Sequence, residues 1–496
     1  MAGYFRELAR AALDRPIKAL ASAIGYEPTS NGWRTRGYHP SDSGINALVE
    51  SGGDGLRAWS RDLARKNAWA SNALDSWESN CIGGGIKPQS KHPNPTRRKQ
   101  LMEWWNRWTD QADANGLTDF YGLERMMCRG EFEAGEVLAR KRLRRPSDGL
   151  FLPLQYQLLE SEHLPTYKNE DLPNGNIIRA GIEFDLIGSR VAYHLYRERP
   201  NERIMFSGNL GNPVRVPADS VIHHFKPLRP GQHRGQPRMT PILIKLWELD
   251  QYDDAEVVRK KTAALITYIF WETAQDGDNI ANTTDEDPAA DGTPIGAIEP
   301  GSTVVAPPGL EPKPSQAADL TGQYEIFFKV QLRAIAAALG LTYEQLTGDM
   351  SGVNYSSARI AMLEFRRRCE QFQHQVHVFQ VCRPTWKAFI EACVMVGLIS
   401  AVDYARNQAD YLNVQWRPPK WDWVDPKKDA EGEILLIDNL LKPRSATINE
   451  MGDDEEDVDA QILIDQEREQ RLGLVRRQSS PVAATIKALT DPEANQ

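Results

Sequence analysis

From Ala358 to Cys393, apolar residues recur at steps of three and four: Ala358, Met362, Phe365, Cys369, Phe372, Val376, Phe379, Trp386, Ile390 and Cys393. That spacing lines them along one face of a helix. Arg383 interrupts the register beside Pro384. Proline lacks an N–H and crowds the preceding turn, so it predicts a kink there rather than an end. A helix over 358–396 would be on the order of 60 Å long at about 1.5 Å per residue, more than one small domain needs. Just before it the pattern vanishes. "GDMSGVNYSS", from residue 348, is a run of turn chemistry. A soft polar loop is thus mounted directly on a rigid helix that soon carries Arg366, Arg367 and Arg368.

Elsewhere the period changes twice. Residues 56–80 have helical spacing through Leu56, Trp59, Leu63, Leu74 and Trp77, and stop at Gly83, Gly84 and Gly85. "LMEWWNRW" predicts a second helix with Trp104 and Trp108 on one face. From about residue 130 the period becomes two. "EVLARKRL" and "FLPLQYQLL" flank "RRPSDG" as a hairpin. Ile182, Phe184, Leu186 and Val191, Tyr193, Leu195 flank Gly188-Ser189 as another, and "VIHHFKPL" is a further short strand. This predicts an α+β region with a mixed or antiparallel sheet. A helix then starts near Thr240, with Pro241 in its first turn, and runs to about Phe270. Asp250, Asp253 and Asp254 break its apolar stripe, so it does not read as buried in one core. A second helix, "QAADLTGQYEIFFKVQLRAIAAALG", ends at Gly340, and a helical acidic segment follows at 445–472.

Composition changes the picture in one place. The 496-residue chain is 41% hydrophobic with net charge −9, so any nucleic-acid contact must be local. Residues 272–312 hold nine acids, among them Asp285, Glu286 and Asp287, and no lysine or arginine. By composition this is a solvated insertion. The five cysteines lack CxxC spacing and read as reduced thiols. The opening "MAGYFRELARAALDRPIKAL" has no apolar core of the signal-peptide kind, and no run of 18 apolar residues is present, so no membrane partner is expected.

Candidate chemistry is sparse. GxxxxGK[ST], HExxH, GxSxG and paired CxxC are all absent from the sequence. "CIGGGIKP" reads as a helix-stop turn. His223 and His224, adjacent on a strand, point to opposite faces and cannot chelate one ion. His374 and His377 have workable spacing near Cys369, but no carboxylate cluster accompanies them, so they read as satisfied helix histidines. No metal, cofactor or enzymatic activity is expected. The basic run Arg140, Lys141, Arg142, Arg144 and Arg145 reads as a solvated hairpin face.

The order of several strings resembles the lambda-type phage portal family. They are "SRDLARKNAWASNALDSWESNCIGGGIKPQ", "GIEFDLIGSRVAYHLY", "VPADSVIHHFKPLRPGQHRGQP", "LTYEQLTGDMSGVNYSSARIAMLEFRR" and "RPPKWDWVDPKKDAEGEILLIDN", spanning about residues 30–474. The resemblance implies a ring-forming portal, usually of twelve subunits, at one vertex of the capsid, assembled in the host cytoplasm and retained in the virion. Double-stranded DNA would pass through it, driven by a separate terminase. Its further partners would be the terminase large subunit, a head-completion or adaptor protein, and the major capsid and scaffold proteins.

The implied layout is a peripheral segment (1–30), an α+β wing with a mixed sheet (31–239), stem helices (240–270 and 316–340) and an acidic clip (271–315). A tunnel loop (341–357), a spine helix (358–396), a return to the wing (397–429), a helical crown (430–474) and a disordered tail (475–496) follow. Gly348, Asp349, Ser351, Asn354, Tyr355 and Ser356 would face DNA. Arg366, Arg367 and Arg368 would serve the channel or assembly, and Asp285, Glu286 and Asp287 would dock basic partners. Two other readings compete: a non-viral interaction protein with a DNA-facing loop, and a nuclease-like enzyme with an unrecognised carboxylate site. Rings with an axial hole would favour the portal, and a monomer with metal-dependent hydrolysis would favour the enzyme.

Overall fold

The structure, a computed structural model, describes residues 41–200, 211–265, 269–270, 304–305, 323–352, 354–421 and 426–474. The expected peripheral segment, the acids Asp285, Glu286 and Asp287, and the expected tail lie outside the described residues. The chain divides into two units between Leu48 and Val49, and every sheet among the described residues and the long helix lie in the second.

The helical stretch expected over 56–80 is two helices, α1 (Ile45–Lys66) and α2 (Ala68–Cys81). Asn67 separates them in extended backbone and accepts a hydrogen bond from the Ala70 N–H at 3.0 Å, the action of an N-cap. Helix α3 (Pro95–Thr109) buries Leu101, Trp105 and Trp108. Trp105 therefore takes the inward place expected of Trp104, because the i, i+4, i+7 stripe starts at Leu101. Helix α4 (Phe120–Ala134) ends at Gly135, whose φ of 85° a side chain would strain.

Far apart in sequence, β1 (Lys87–Ser90) and a late strand, Val414–Arg417, pair antiparallel. Strand β2 (Glu136–Leu143) sits between β3 (Leu154–Glu160) and β9 (Val221–Phe225) in a three-stranded sheet. A five-stranded sheet runs β4 (Glu170–Asp171), β5 (Ile177–Arg179), β6 (Ile182–Phe184), β7 (Arg190–Leu195) and β8 (Val214–Pro217). Every strand pair in these two sheets is antiparallel, so the mixed alternative does not hold there. Within the β2–β3 and β4–β7 hairpins the short connections leave no room for the crossover that parallel pairing requires. Leu186 lies past the end of β6 and is exposed rather than inward. A separate parallel pair joins Ile269–Phe270 to Val304–Val305.

Three further segments matter for the site. Helix α5 (Leu243–Leu265) follows a 3-10 turn at Thr240–Ile242, and α6 (Gln323–Leu339) and a short α7 (Tyr343–Thr347) come after it. The long helix begins as α8 (Tyr355–Phe372) and continues through a π-helical segment, Gln373–Cys382, into α9 (Arg383–Val396). Widened turns move carbonyls away from the Pro384 ring, and the helix passes the proline without ending. They also delay the register. Phe379, expected inward, is exposed, while Val378 and Val381 are buried.

The long helix joins two cores. Phe365, Cys369, Phe372 and Val376 pack with Trp77, Phe132 and Leu339. Trp386, Phe389, Ile390 and Cys393 pack with Trp105, Trp108 and Phe120. Two short helices, α10 (Ala401–Arg406) and α11 (Gln408–Leu412), lead back to the Val414–Arg417 strand. The described chain closes with α12 (Pro426–Asp438), α13 (Arg444–Glu450) and α14 (Glu455–Leu472). Among the described residues no helix is long and apolar enough to cross a membrane.

Candidate functional site

The polar loop is built from both ends inward. Thr342 and Gln345 form a reciprocal capping box that starts α7, and Gly348 ends it in the left-handed region at φ 72°. Leu346 is buried, and Asn72 of α2 donates to the carbonyls of Gln345 and Leu346 at 2.8 Å each, holding the short helix down. Residues 341–357 are therefore not all loop. Asp349 accepts the Ser351 N–H at 3.0 Å and the Tyr343 hydroxyl at 3.3 Å. Hydrogen bonding from Ser351 comes first among the causes that hold its carboxyl below the ordinary range. On the far side Asn354 caps α8 by accepting the Ser357 N–H at 2.9 Å. The backbone of Tyr355 and Ser356 forms the first helical turn. Met350, Ser351 and Gly352 stand exposed between the two capped ends.

The arginines of α8 separate because successive residues turn about 100° around a helix. Arg366 lies over the Trp421 ring, 5.2 Å from its centroid, in the wall of a cavity of about 480 Å³ shared with Glu370, His374, Glu433 and Met451. Arg368 pairs with Glu364 at 3.7 Å, and its guanidinium lies 3.1 Å from where a Cβ on Gly340 would sit. Arg367, 78% exposed, reaches the same Glu364 at 3.7 Å. Two turns earlier Arg359 donates to Asp429 at 3.1 Å.

Helices α5 and α6 pack through Leu246, Leu249, Leu332, Ile335 and Leu339, all buried. Tyr252 and Tyr324 stack at 6.0 Å, and Lys260 lies 4.9 Å from the Tyr324 centroid. Apolar residues also face outward: Ile244, Trp247 and Val258 on α5, and Ile326, Phe327 and Val330 on α6, with Ile244 and Ile326 64% and 66% exposed.

Two buried polar centres escape a reading of the sequence alone. Glu136, at the start of β2, accepts from Arg234 Nε at 2.8 Å, the Gly235 N–H at 2.8 Å and His223 Nε2 at 2.9 Å. Burial by itself pushes this carboxyl up, but Arg234 and His223 outweigh it and hold it well below the usual range. Burial likewise takes His223 down to about 4 against the pull of Glu136. The second centre corrects an expectation. A carboxylate does accompany His377: Glu124 of α4 lies 3.6 Å from its Nε2 and 3.3 Å from Cys382 Sγ. The residues are more than 250 positions apart, so no local motif announces them. The spacing of His377 and Cys382, five apart as a π-helical turn requires, is the one available trace. His223 and His224 do diverge, one toward Glu136 and the other toward His377. In the basic hairpin, Arg142 and Arg144 donate to Gln157 and Gln155 of the facing strand, at 2.9 and 2.7 Å through Nε.

Residues 31–373 match the family described as "Phage portal protein, lambda family". A probable portal protein of Halomonas phage phiHAP-1 is 28% identical over 433 residues, covering 84% of this chain and 81% of its own. The portal protein of Escherichia phage N15 is 22% identical with 92% of each chain covered. Portal protein B of Escherichia phage lambda is 21% identical with 90% of each covered. Among solved structures, a chain from the virion of a native gene transfer agent particle aligns at TM-score 0.40 and 13% identity, over 88% of this chain and 98% of that one. A chain from the neck of a native gene transfer agent particle, computed with C12 symmetry, aligns at 0.41 and 13%, over 82% and 92%.

Proposed function

This chain belongs to the lambda family of phage portal proteins and has a portal function, and from that premise we propose how its parts divide the work. Copies of the chain close into a ring, of twelve as the family implies, at one vertex of the capsid. Double-stranded DNA passes through the bore. The observation that carries the reading is the pair of outward apolar faces on α5 and α6, with Ile244, Trp247 and Val258 on one helix and Ile326, Phe327 and Val330 on the other. Large apolar side chains left exposed on adjoining helices mark an interaction surface. A head-to-tail contact between such faces generates a ring when its rotation closes.

Residues 348–356 then form the DNA-facing element. Its groups are neutral or internally bonded, which suits passing contact with phosphates and reads no base sequence. Arg367, the outermost of the three arginines, meets DNA or a neighbouring subunit, whereas Arg366 and Arg368 brace the helix against Trp421 and Gly340. The acidic 271–315 segment receives basic surfaces of the terminase large subunit and of a head-completion protein. The expected wing and crown meet capsid and scaffold proteins.

Two measurements test this. Electron microscopy of the purified chain should show closed rings with an axial hole, and a monomer throughout the micromolar range would overturn the assembly. Shortening 349–354 should leave rings whole while packaging or retention of DNA fails. Full genomes packaged and held at the parental rate would remove the loop from translocation.

A further inference from the structure

We propose that the chain holds a buried divalent metal site, suited to zinc, formed by Glu124, His377 and Cys382. The donors come from two elements: Glu124 from α4, and His377 and Cys382 from the π-helical segment. In an α-helix, residues five apart diverge. A π turn brings them onto one face, and such turns recur at functional sites.

The geometry fits an ion. One ligand atom from each of Glu124, His377 and Cys382 lies within 4.8 Å of the others, and all three residues are buried. With bonds of about 2.0–2.3 Å, two ligand atoms on a tetrahedral zinc stand roughly 3.3–3.6 Å apart. Glu124 Oε1 is 3.3 Å from Cys382 Sγ and 3.6 Å from His377 Nε2. The His224 ring stands beside this trio, its centroid 5.0 Å from that of His377.

A second observation points to a ligand. His377 is fully buried, yet neither of its ring nitrogens has a hydrogen-bond partner. The His224 ring touches the Met127 backbone but closes no hydrogen bond of normal length and angle. Buried polar atoms are almost always partnered, so two adjacent imidazoles left in this state call for an electrophile. The outer support is also in place. The other Glu124 oxygen accepts the Ile86 N–H at 2.9 Å, fixing the carboxylate. Sulfur, nitrogen and oxygen donors together select zinc over the hard cations magnesium and calcium. One thiolate and one carboxylate balance the double positive charge, leaving a neutral centre where a net charge would be costly. With its donors fully buried, the site would tie α4 to the widened turns of the long helix.

The full-length chain should be produced in media supplemented with zinc or with cobalt, and its metal content measured after removal of free ions. Near-stoichiometric zinc, and in the cobalt form a thiolate-to-cobalt charge-transfer absorption, are expected. X-ray absorption at the bound metal should find one sulfur with nitrogen and oxygen neighbours. Cys382→Ser and His377→Gln should lose the metal, while Cys128→Ala should keep it. Folded protein without metal from either medium would overturn the proposal and leave a hydrogen-bonded trio. So would a bound metal with several sulfurs or none, or metal retained by both Cys382→Ser and His377→Gln. The absorption measurement needs only the parent chain, so it decides the matter even where a variant does not fold.

Discussion

Glu136 and Asp349 are both carboxylates held below the ordinary range, and they could hardly be situated more differently. Glu136 is buried and is met by a guanidinium, an imidazole and a backbone N–H. Arg57, also buried, completes the group at 4.0 Å. Asp349 is part-exposed at the surface and is met by neutral donors from Ser351 and Tyr343, a few residues away. In the first case charge is matched inside a low dielectric, and the match fixes how β2, β9 and the 229–238 segment meet. In the second, hydrogen bonds shape a turn and hold nothing else. The same functional group thus makes one region rigid across long sequence distances, and gives the other a local form it can leave at little cost. The role proposed for the loop would call for the second kind.

The sharpest way to break this contrast is at the buried centre. Arg234→Met strands Glu136 without its main counter-charge, and breaking a buried pair in this way costs about 3–5 kcal/mol. A large fall in the chemical-denaturation midpoint is expected. A change within error would mean the centre contributes no rigidity.

Acid should reach the same centre by another route. His223 titrates at about 4 in the fold, against about 6.5 unfolded. Between those values the unfolded chain binds a proton that the folded chain refuses, so stability is full above the upper value and falls as pH drops through the window. The His223 share is at most about 3.5 kcal/mol, from about 1.4 kcal/mol per pH unit. His223→Gln should flatten that part of the pH profile while keeping a donor for Glu136. Below about 4.5 a separate loss begins as the unfolded counterpart of Glu136 takes up its proton.

The loop should respond weakly. Asn354→Ala removes the cap of α8 and should cost about 1 kcal/mol, read by the same denaturation. Smallest of all, Arg367→Gln should change stability by no more than about 0.5 kcal/mol, as for other exposed sites. Its effect, if the proposed role holds, belongs to ring assembly or DNA passage. A larger stability loss at Arg367 than at Arg234 would invert the comparison.

How much of this is legible in the sequence depends on distance along the chain. Phe365, Cys369 and Phe372 declare themselves because three- and four-residue steps are a local signal. The capping box at Thr342 and Gln345 is equally local, and leaving it out lengthens the expected loop by a turn of helix. Phe379 departs from expectation for a different reason. The spacing rule assumes α-helical turns, and nothing in the apolar pattern shows where turns widen. Trp104 and Trp105 satisfy two registers in succession, and only Leu101 decides between them. The partners of Glu136 and Glu124 lie about 90 to 260 positions away, and only the folded chain brings them together. For the loop and its arginines, the residue types are visible in advance. Their sorting into outward, braced and stacked positions is not.

The five cysteines have a practical consequence at the bench. All are free and buried. Burial raises the Cys81 thiol well above its ordinary value, and Cys393 to about 12. Labelling reagents attack exposed thiolate, so the native chain should offer them almost no target. A cysteine introduced at Ser351 or Arg367 would then be the one fast-reacting thiol per subunit, with no native cysteine removed. A fluorophore or spin label could be set at that single position of the loop or its helix, and slow labelling at the other five would time the opening of the core.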